Sequence, residues 1–195
     1  MMTAVESLGS RQVYANAWMT VREDDIRRSD GSAGIYGVVD KPDYALVIPL
    51  QDDHLHLVEQ FRYPLGLRRW EFPQGTAPNR ADSPPAELAA RELREETGLR
   101  AGKLEEIGLL DVAPGMSSQR GRVFLATDLT DGRPERELEE QDMRSAWLPR
   151  DRVESMIMSG ELTDAPSIAA YALLVLHERR RTAGLLSGGG APPIR

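Results

Sequence analysis

The sequence predicts an α/β fold, a mixed sheet sandwiched between helices, and three observations carry that prediction. Short alternating or apolar runs bounded by turn residues recur between residues 18 and 148. One well-punctuated helix interrupts these runs, and two more helices close the chain. At 195 residues, with 41% hydrophobic and 28% charged side chains, the chain suits one domain with a core and some length for an arm.

The elements follow in order. Trp18–Ile26 alternates as a strand does, and Ser29-Asp30-Gly31-Ser32 reads as a hairpin turn into Gly34–Val39. Ala45–Pro49 is a short apolar run of the buried-strand type, and Leu55–Phe61 alternates after a turn at Asp52-Asp53. Trp70-Glu71-Phe72 is a brief strand stopped by Pro73. Ser83 is placed to cap a helix whose first turn holds Pro84 and Pro85. Ala86, Ala89, Ala90, Leu93 and the Thr97 methyl give that helix its apolar face, and Gly98 ends it. Leu104–Leu110, Arg122–Thr127 and Ser145–Leu148 are strand-like. Residues 151–159 form a short helix and Ala165–Arg181 a longer one, with Ile168, Ala172, Leu173 and Leu176 on one side. Residues 1–10 and the tail from Ala183 read as flexible; Gly188-Gly189-Gly190 followed by Pro192-Pro193 cannot hold a helix.

Bulk properties remove several function classes. A net charge of −7 opposes broad affinity for nucleic acid or anionic membrane, which need surplus Lys and Arg. With no cysteine there is no disulfide, thiolate metal site or cysteine nucleophile. The first ten residues lack the basic start and apolar run of a secretory signal, and no apolar stretch could cross a bilayer, so a cytoplasmic protein is expected. The three histidines carry little information: His54 and His56 read as edge-strand residues, and His177 as a helix-end residue.

The chemistry lies in Arg91-Glu92-Leu93-Arg94-Glu95-Glu96-Thr97-Gly98-Leu99. At about 100° per residue, Glu92, Glu95 and Glu96 fall within roughly a 100° arc beside the apolar face. Such carboxylates repel, and a hard divalent cation with oxygen ligands neutralises them. Arg91, one turn before Glu95, can pair with it. Taken alone, an acidic helix face is more often simply solvated.

The surroundings change that balance. Residues 91–99 resemble the REUxEExGU end of the Nudix box, and Trp70-Glu71-Phe72-Pro73-Gln74-Gly75 looks like the strand and glycine that open it. The match to GX5EX7REUXEEXGU is incomplete. Ser83 stands where the family has Glu, and Gly75 precedes Arg91 by sixteen residues rather than fourteen, with Asp82 the nearest acidic substitute. The resemblance implies a Nudix α/β/α sandwich preceded by a small N-terminal antiparallel sheet. It divides the chain into a flexible N-terminus (1–10), a β arm in a dimer interface (11–43), the Nudix domain (44–182) and a flexible tail (183–195).

Further segments resemble the ADP-ribose pyrophosphatase and nucleoside-diphosphate-sugar hydrolase branch. These are Gln60-Phe61-Arg62, Ala113-Pro114-Gly115-Met116-Ser117 and Gly160-Glu161-Leu162-Thr163-Asp164-Ala165. The resemblance implies Glu92, Glu95, Glu96 and a carbonyl at Gln74 as metal ligands, holding Mg²⁺ or alternatively Mn²⁺. It implies Arg62, Glu71, Pro114 and Trp18 as substrate contacts, Arg62 on a phosphate and Trp18 on the base, with Tyr14 and Tyr36 as lesser aromatic candidates. Glu140, then Glu139, is the implied catalytic base; Gln119 stands where several relatives have another glutamate. The expected protein is a homodimer acting on a small nucleotide sugar, with neither nucleic acid nor membrane as partner. Two rival readings are a nucleotide sensor without turnover and an enzyme for capped RNA or dinucleoside polyphosphates.

Overall fold

The computed structural model describes residues 5–77, 83–136 and 140–184. Its strands fall into two sheets. The first is antiparallel in the order β1-β2-β3, from Val5–Ala15, Thr20–Arg28 and Ala33–Asp40. The Ser32 N–H donates to Asp30 Oδ1 (2.9 Å) and Gly31 takes a left-handed φ of 84°, so the Asp-Gly turn closes the β2–β3 hairpin as its residues suggest. Two expectations are corrected here. The chain is a strand from Val5, inside the stretch read as flexible, because β1 finds its ladder partner in β2. Trp18 belongs to the β1–β2 turn rather than to a strand, since Asn16 Oδ1 accepts from the N–H groups of Trp18 (2.9 Å) and Met19 (2.8 Å).

The second sheet holds β4 (Tyr44–Gln51), β5 (His54–Arg62), β6 (Leu67–Glu71), β7 (Gln74–Thr76), β8 (Arg100–Asp111), β9 (Arg120–Thr130) and β10 (Arg144–Pro149). Its main order is β10-β5-β4-β9-β8, with β6 on β5 and β7 on β4. The β4–β9 pair is parallel and the others are antiparallel, so the sheet is mixed. Alternate residues of β4 serve opposite faces. Tyr44, Leu46 and Ile48 pack with Leu55, Leu57, Phe72, Val153, Met156 and Leu174, while Ala45 and Val47 pack with Leu88, Ala89, Leu93 and Phe124. The continuous apolar run is therefore a strand covered on both sides. Helix α1 (Pro85–Thr97) covers one face; α2 (Arg150–Ser159) and α3 (Ala165–Thr182) cover the other.

The helices correct three details. α1 is entered from Pro84 with no side-chain cap, so Ser83 does not cap it; the proline pair fixes the backbone instead. Its buried residues are Leu88, Ala89, Glu92, Leu93, Glu96 and Thr97, while Ala86 and Ala90 are exposed. The buried stripe is thus turned toward the glutamates. α3 buries Ser167, Ala170, Tyr171 and Leu174, and leaves Ala172 and Leu176 exposed. That helix is apolar nearly all round, so its own pattern names no unique face; packing on the sheet chooses one. Residues 185–195 of the expected tail lie outside the described residues.

Candidate active site

Glu92 and Glu96 lie one turn apart on the face of α1 that packs onto the sheet, and both are buried, Glu96 at 1% exposure. Gly75 makes room for the first: a Cβ there would collide with the Glu92 carboxylate. Arg91 donates from Nη2 to Glu92 Oε1 (2.9 Å) and to Thr76 O (3.0 Å), tying the helix to β7. Glu95 is more exposed and sits between Arg91 (3.4 Å) and Arg94 (3.5 Å). Glu96 Oε2 accepts from the Gln74 N–H (3.2 Å), whereas Glu96 Oε1 is buried without a hydrogen-bond partner. Burial drives the Glu92 pKa up to about 7 against the pull of Arg91. Burial, and then the charges of Glu140, Glu92 and Glu71, drive Glu96 well above the usual carboxylate range.

Arg62 ends β5 and Glu71 ends β6; the strands run antiparallel, with Arg62 opposite Leu67 and Glu71 opposite Val58, so the long arginine side chain reaches along the pair to the carboxylate. Arg62 holds Glu71 with two hydrogen bonds, Nη2 to Oε1 (2.7 Å) and Nε to Oε2 (3.1 Å). Glu71 is buried and also accepts from Gln60 and from Gln74 Nε2 (3.3 Å). Glu71, one of the expected substrate contacts, anchors the arginine. Desolvation raises its pKa, and Arg62 opposes that shift. Arg62 lines an open cleft of about 500 Å³ with Lys41, Tyr44, Gln74, Gln119 and Asp164. A larger cleft of about 660 Å³ lies elsewhere, around Arg150, Glu154, Tyr171 and Glu178, away from the acidic helix. The one at Arg62 adjoins the chemistry, because it includes Gly75 and Gln74.

The remaining candidates are spread more widely. The charge of Glu140 is among the causes that raise both Glu92 and Glu96, so this residue lies within electrostatic reach of the acidic pair. Glu139 and Asp82 lie outside the described residues. Pro114 belongs to a turn whose next residue, Gly115, accepts from the Tyr36 hydroxyl (2.8 Å); the turn joins the N-terminal sheet to the core. Trp18 is 67% exposed, in the β1–β2 turn. Gln119 donates to Pro42 O (2.8 Å), consistent with a structural amide. His56 corrects the edge-strand reading: β5 lies between β10 and β4, and His56 is buried against Trp147, with ring centroids 4.8 Å apart.

The fold agrees with comparisons to known proteins. Residues 6–39 match the nucleoside diphosphate sugar hydrolase N-terminal domain, and residues 40–171 match the NUDIX domain. The chain belongs to the Nudix family. This Nudix chain is 36% identical over 174 residues to an ADP-ribose pyrophosphatase of Mycobacterium tuberculosis, covering 88% of this chain and 83% of that one. It is 30% identical to a CMP-5'-(N-acetyl-N-hydroxy-3-aminopropyl)phosphonate hydrolase of Streptomyces rubellomurinus, covering 90% and 85%. A crystal structure of an ADP compounds hydrolase superimposes with a TM-score of 0.79 at 22% identity, over 94% of this chain and 98% of the other, which establishes the shared fold.

Nudix hydrolases use divalent cations, and the residues here fit one. Two buried carboxylates, one with an unpartnered oxygen and both with raised pKa values, are hard oxygen donors short of positive charge. Among the described residues no group of three or more histidine, aspartate or glutamate side chains is arranged to hold a metal ion together. Tyr44, Lys41 and Asp164 are cleft residues that the sequence reading did not select. Asp164 does carry a sequence signal, since it lies in the Gly160–Ala165 segment that resembles the family. Tyr44 carried no signal beyond the start of an apolar run.

Proposed function

We propose that this Nudix hydrolase cleaves the diphosphate of ADP-ribose or a related nucleoside diphosphate sugar, giving a nucleoside monophosphate and a sugar phosphate. The observation that carries the reading is the buried Glu92–Glu96 pair, within reach of the Glu140 charge and beside a cleft that holds Arg62. The ADP-ribose pyrophosphatase relative supports the substrate class.

Glu92 and Glu96, with the Gln74 backbone, would hold the cation, which we take to be Mg²⁺, with Mn²⁺ as the alternative. When bound, such a cation offsets phosphate charge and makes a coordinated water more acidic. Glu95, paired with Arg91 and Arg94, would add a further ligand. Arg62, held flat by Glu71, offers its remaining donors to a phosphate oxygen. Glu140 takes the proton of the attacking water. Trp18, exposed in its hairpin turn, stacks on the nucleobase, and Pro114 is a further substrate contact. The exposed N-terminal sheet meets a second copy of the chain, and the enzyme works as a cytoplasmic homodimer.

Glu92→Gln and Glu96→Gln test the assignment. Each should lower kcat for ADP-ribose by about 10²-fold or more while the thermal unfolding transition is kept, since each removes charge but not volume. Near-normal turnover in both variants would sink it. A sensor without turnover would instead show tight ADP-ribose binding and no product in the unaltered chain.

A further inference from the structure

The segment leading to Glu140 is fastened to the C-terminal end of α1 by backbone contacts. Gly98 ends the helix at a φ of 80°, and Gly132 packs directly against it: a Cβ on Gly98 would come 2.5 Å from Gly132 O. The Glu135 N–H then donates to Glu95 O (3.0 Å), a carbonyl in the helix's last turn. Arg136 follows. Its Nε donates to Glu96 O (3.2 Å), and its Nη1 donates to Met143 O on the far side of the Glu140 turn.

That turn is itself closed. The Met143 N–H donates to Glu140 O (2.9 Å), Gln141 Nε2 donates to Arg136 O (2.9 Å), and the Met143 side chain is buried. One guanidinium therefore spans the carbonyl of a metal-helix residue and the carbonyl that ends the turn bearing the proposed base. A planar fork of fixed donors can hold two carbonyls at a set separation, which an ammonium on a flexible stem does less well. On the outer side Arg68 adds a second fastening, to Asp142 Oδ2 (2.6 Å) and Asp142 O (2.9 Å), but that contact is solvent-exposed.

We propose that Arg136 is a positioning residue for the reaction, clamping the Glu140 turn to the end of α1 so that the Glu140 carboxylate keeps its place beside Glu92 and Glu96. The inference rests on the reading of Glu140 as the base. It assigns Arg136 no contact with the substrate; the side chain acts through Glu140.

The test compares Arg136→Ala, Arg136→Lys, Glu140→Gln and the Arg136→Ala/Glu140→Gln pair, with ADP-ribose at saturating Mg²⁺. Arg136→Ala should lower kcat by roughly 10- to 100-fold with KM within about 3-fold, and Arg136→Lys should recover part of the loss. The double variant should be no slower than Glu140→Gln alone, because a residue acting through Glu140 has nothing left to position. In metal-free protein, hydrogen exchange at the Glu135 and Met143 amides should speed up in Arg136→Ala. If the alanine variant does not fold, Arg136→Lys carries both readouts at smaller amplitude. Normal kcat in Arg136→Ala beside a crippled Glu140→Gln overturns the clamp alone. Additive losses in the double variant overturn it too, since Arg136 would then act elsewhere. Normal turnover in Glu140→Gln overturns the base, and the catalytic role of the clamp with it.

Discussion

The two sheets are built from the same kind of strand and held in opposite ways. In β4 every residue from Tyr44 to Pro49 is buried, between α1 on one face and α3 on the other. In β1 every residue is exposed, and β2 contributes Ile26 as its one buried side chain. Backbone ladders close the three-stranded sheet, and ion pairs such as Arg11–Glu23 and Arg27–Glu6 cross it, but exposed pairs of this kind add little. Its attachment to the core includes polar fastenings: Val39 N–H to Met116 O (2.8 Å), Ser117 Oγ to Val39 O (2.7 Å), and Tyr36 hydroxyl to Gly115 O. The contrast teaches that ladder hydrogen bonds shape a sheet, whereas apolar burial stabilises it. A sheet with Val13, Trp18 and Ile35 exposed is complete in geometry and incomplete in burial.

The largest effect should come from the core. Leu46→Ala removes a fully buried side chain and should destabilise the chain by about 2–5 kcal/mol in a denaturant titration. A loss under about 1 kcal/mol would erase the distinction between the sheets.

The next effect lies in the acids that the core has buried. Glu92 has a folded-state pKa of about 7 against an ordinary 4.5, so the folded chain binds its proton more tightly than the unfolded chain does. Its contribution to stability is present below pH 4.5 and is lost as pH rises through 7. Metal-free protein should therefore lose on the order of 1–3 kcal/mol across that window. Added Mg²⁺ should restore stability at the upper end, because deprotonated carboxylates are what a cation binds. A metal-free stability that rises between these pH values would contradict the buried-acid picture.

The smallest effect on the chain should come from the N-terminal sheet. Ile35→Ala should change intrinsic stability by less than about 0.5 kcal/mol, since the side chain is 62% exposed. Self-association followed by sedimentation should weaken in the same variant if this face meets a second copy. Unchanged self-association would remove the covering partner from the comparison.

Much of the fold is legible in the sequence, because its signals are local. The Asp30-Gly31 turn, the apolar β4 run and the Gly98 stop each depend on a few neighbouring residues, and each is present. The Glu92–Glu96 spacing was readable for the same reason. What could not be read was which face each helix buries. Ala86 and Ala90 fitted a helical stripe as well as Glu92 and Glu96 did, and α3 offered apolar residues in every direction. β1 was missed because its residues alternate without contrast and none is buried. Arg136 gave no sequence signal at all, since an arginine in an acidic loop looks like any solvated charge.

The sequence by itself determined the strands, the helix that carries the acids and the family those acids belong to, since period, caps and motif spacing are properties of short stretches of chain. The tertiary structure alone decided that Glu92 and Glu96 are buried rather than solvated, that Glu71 serves Arg62, and that Arg136 ties the Glu140 turn to α1. Each of these joins residues distant in the chain. A carboxylate changes from solvated surface group to buried, proton-retaining ligand only when another element removes its water.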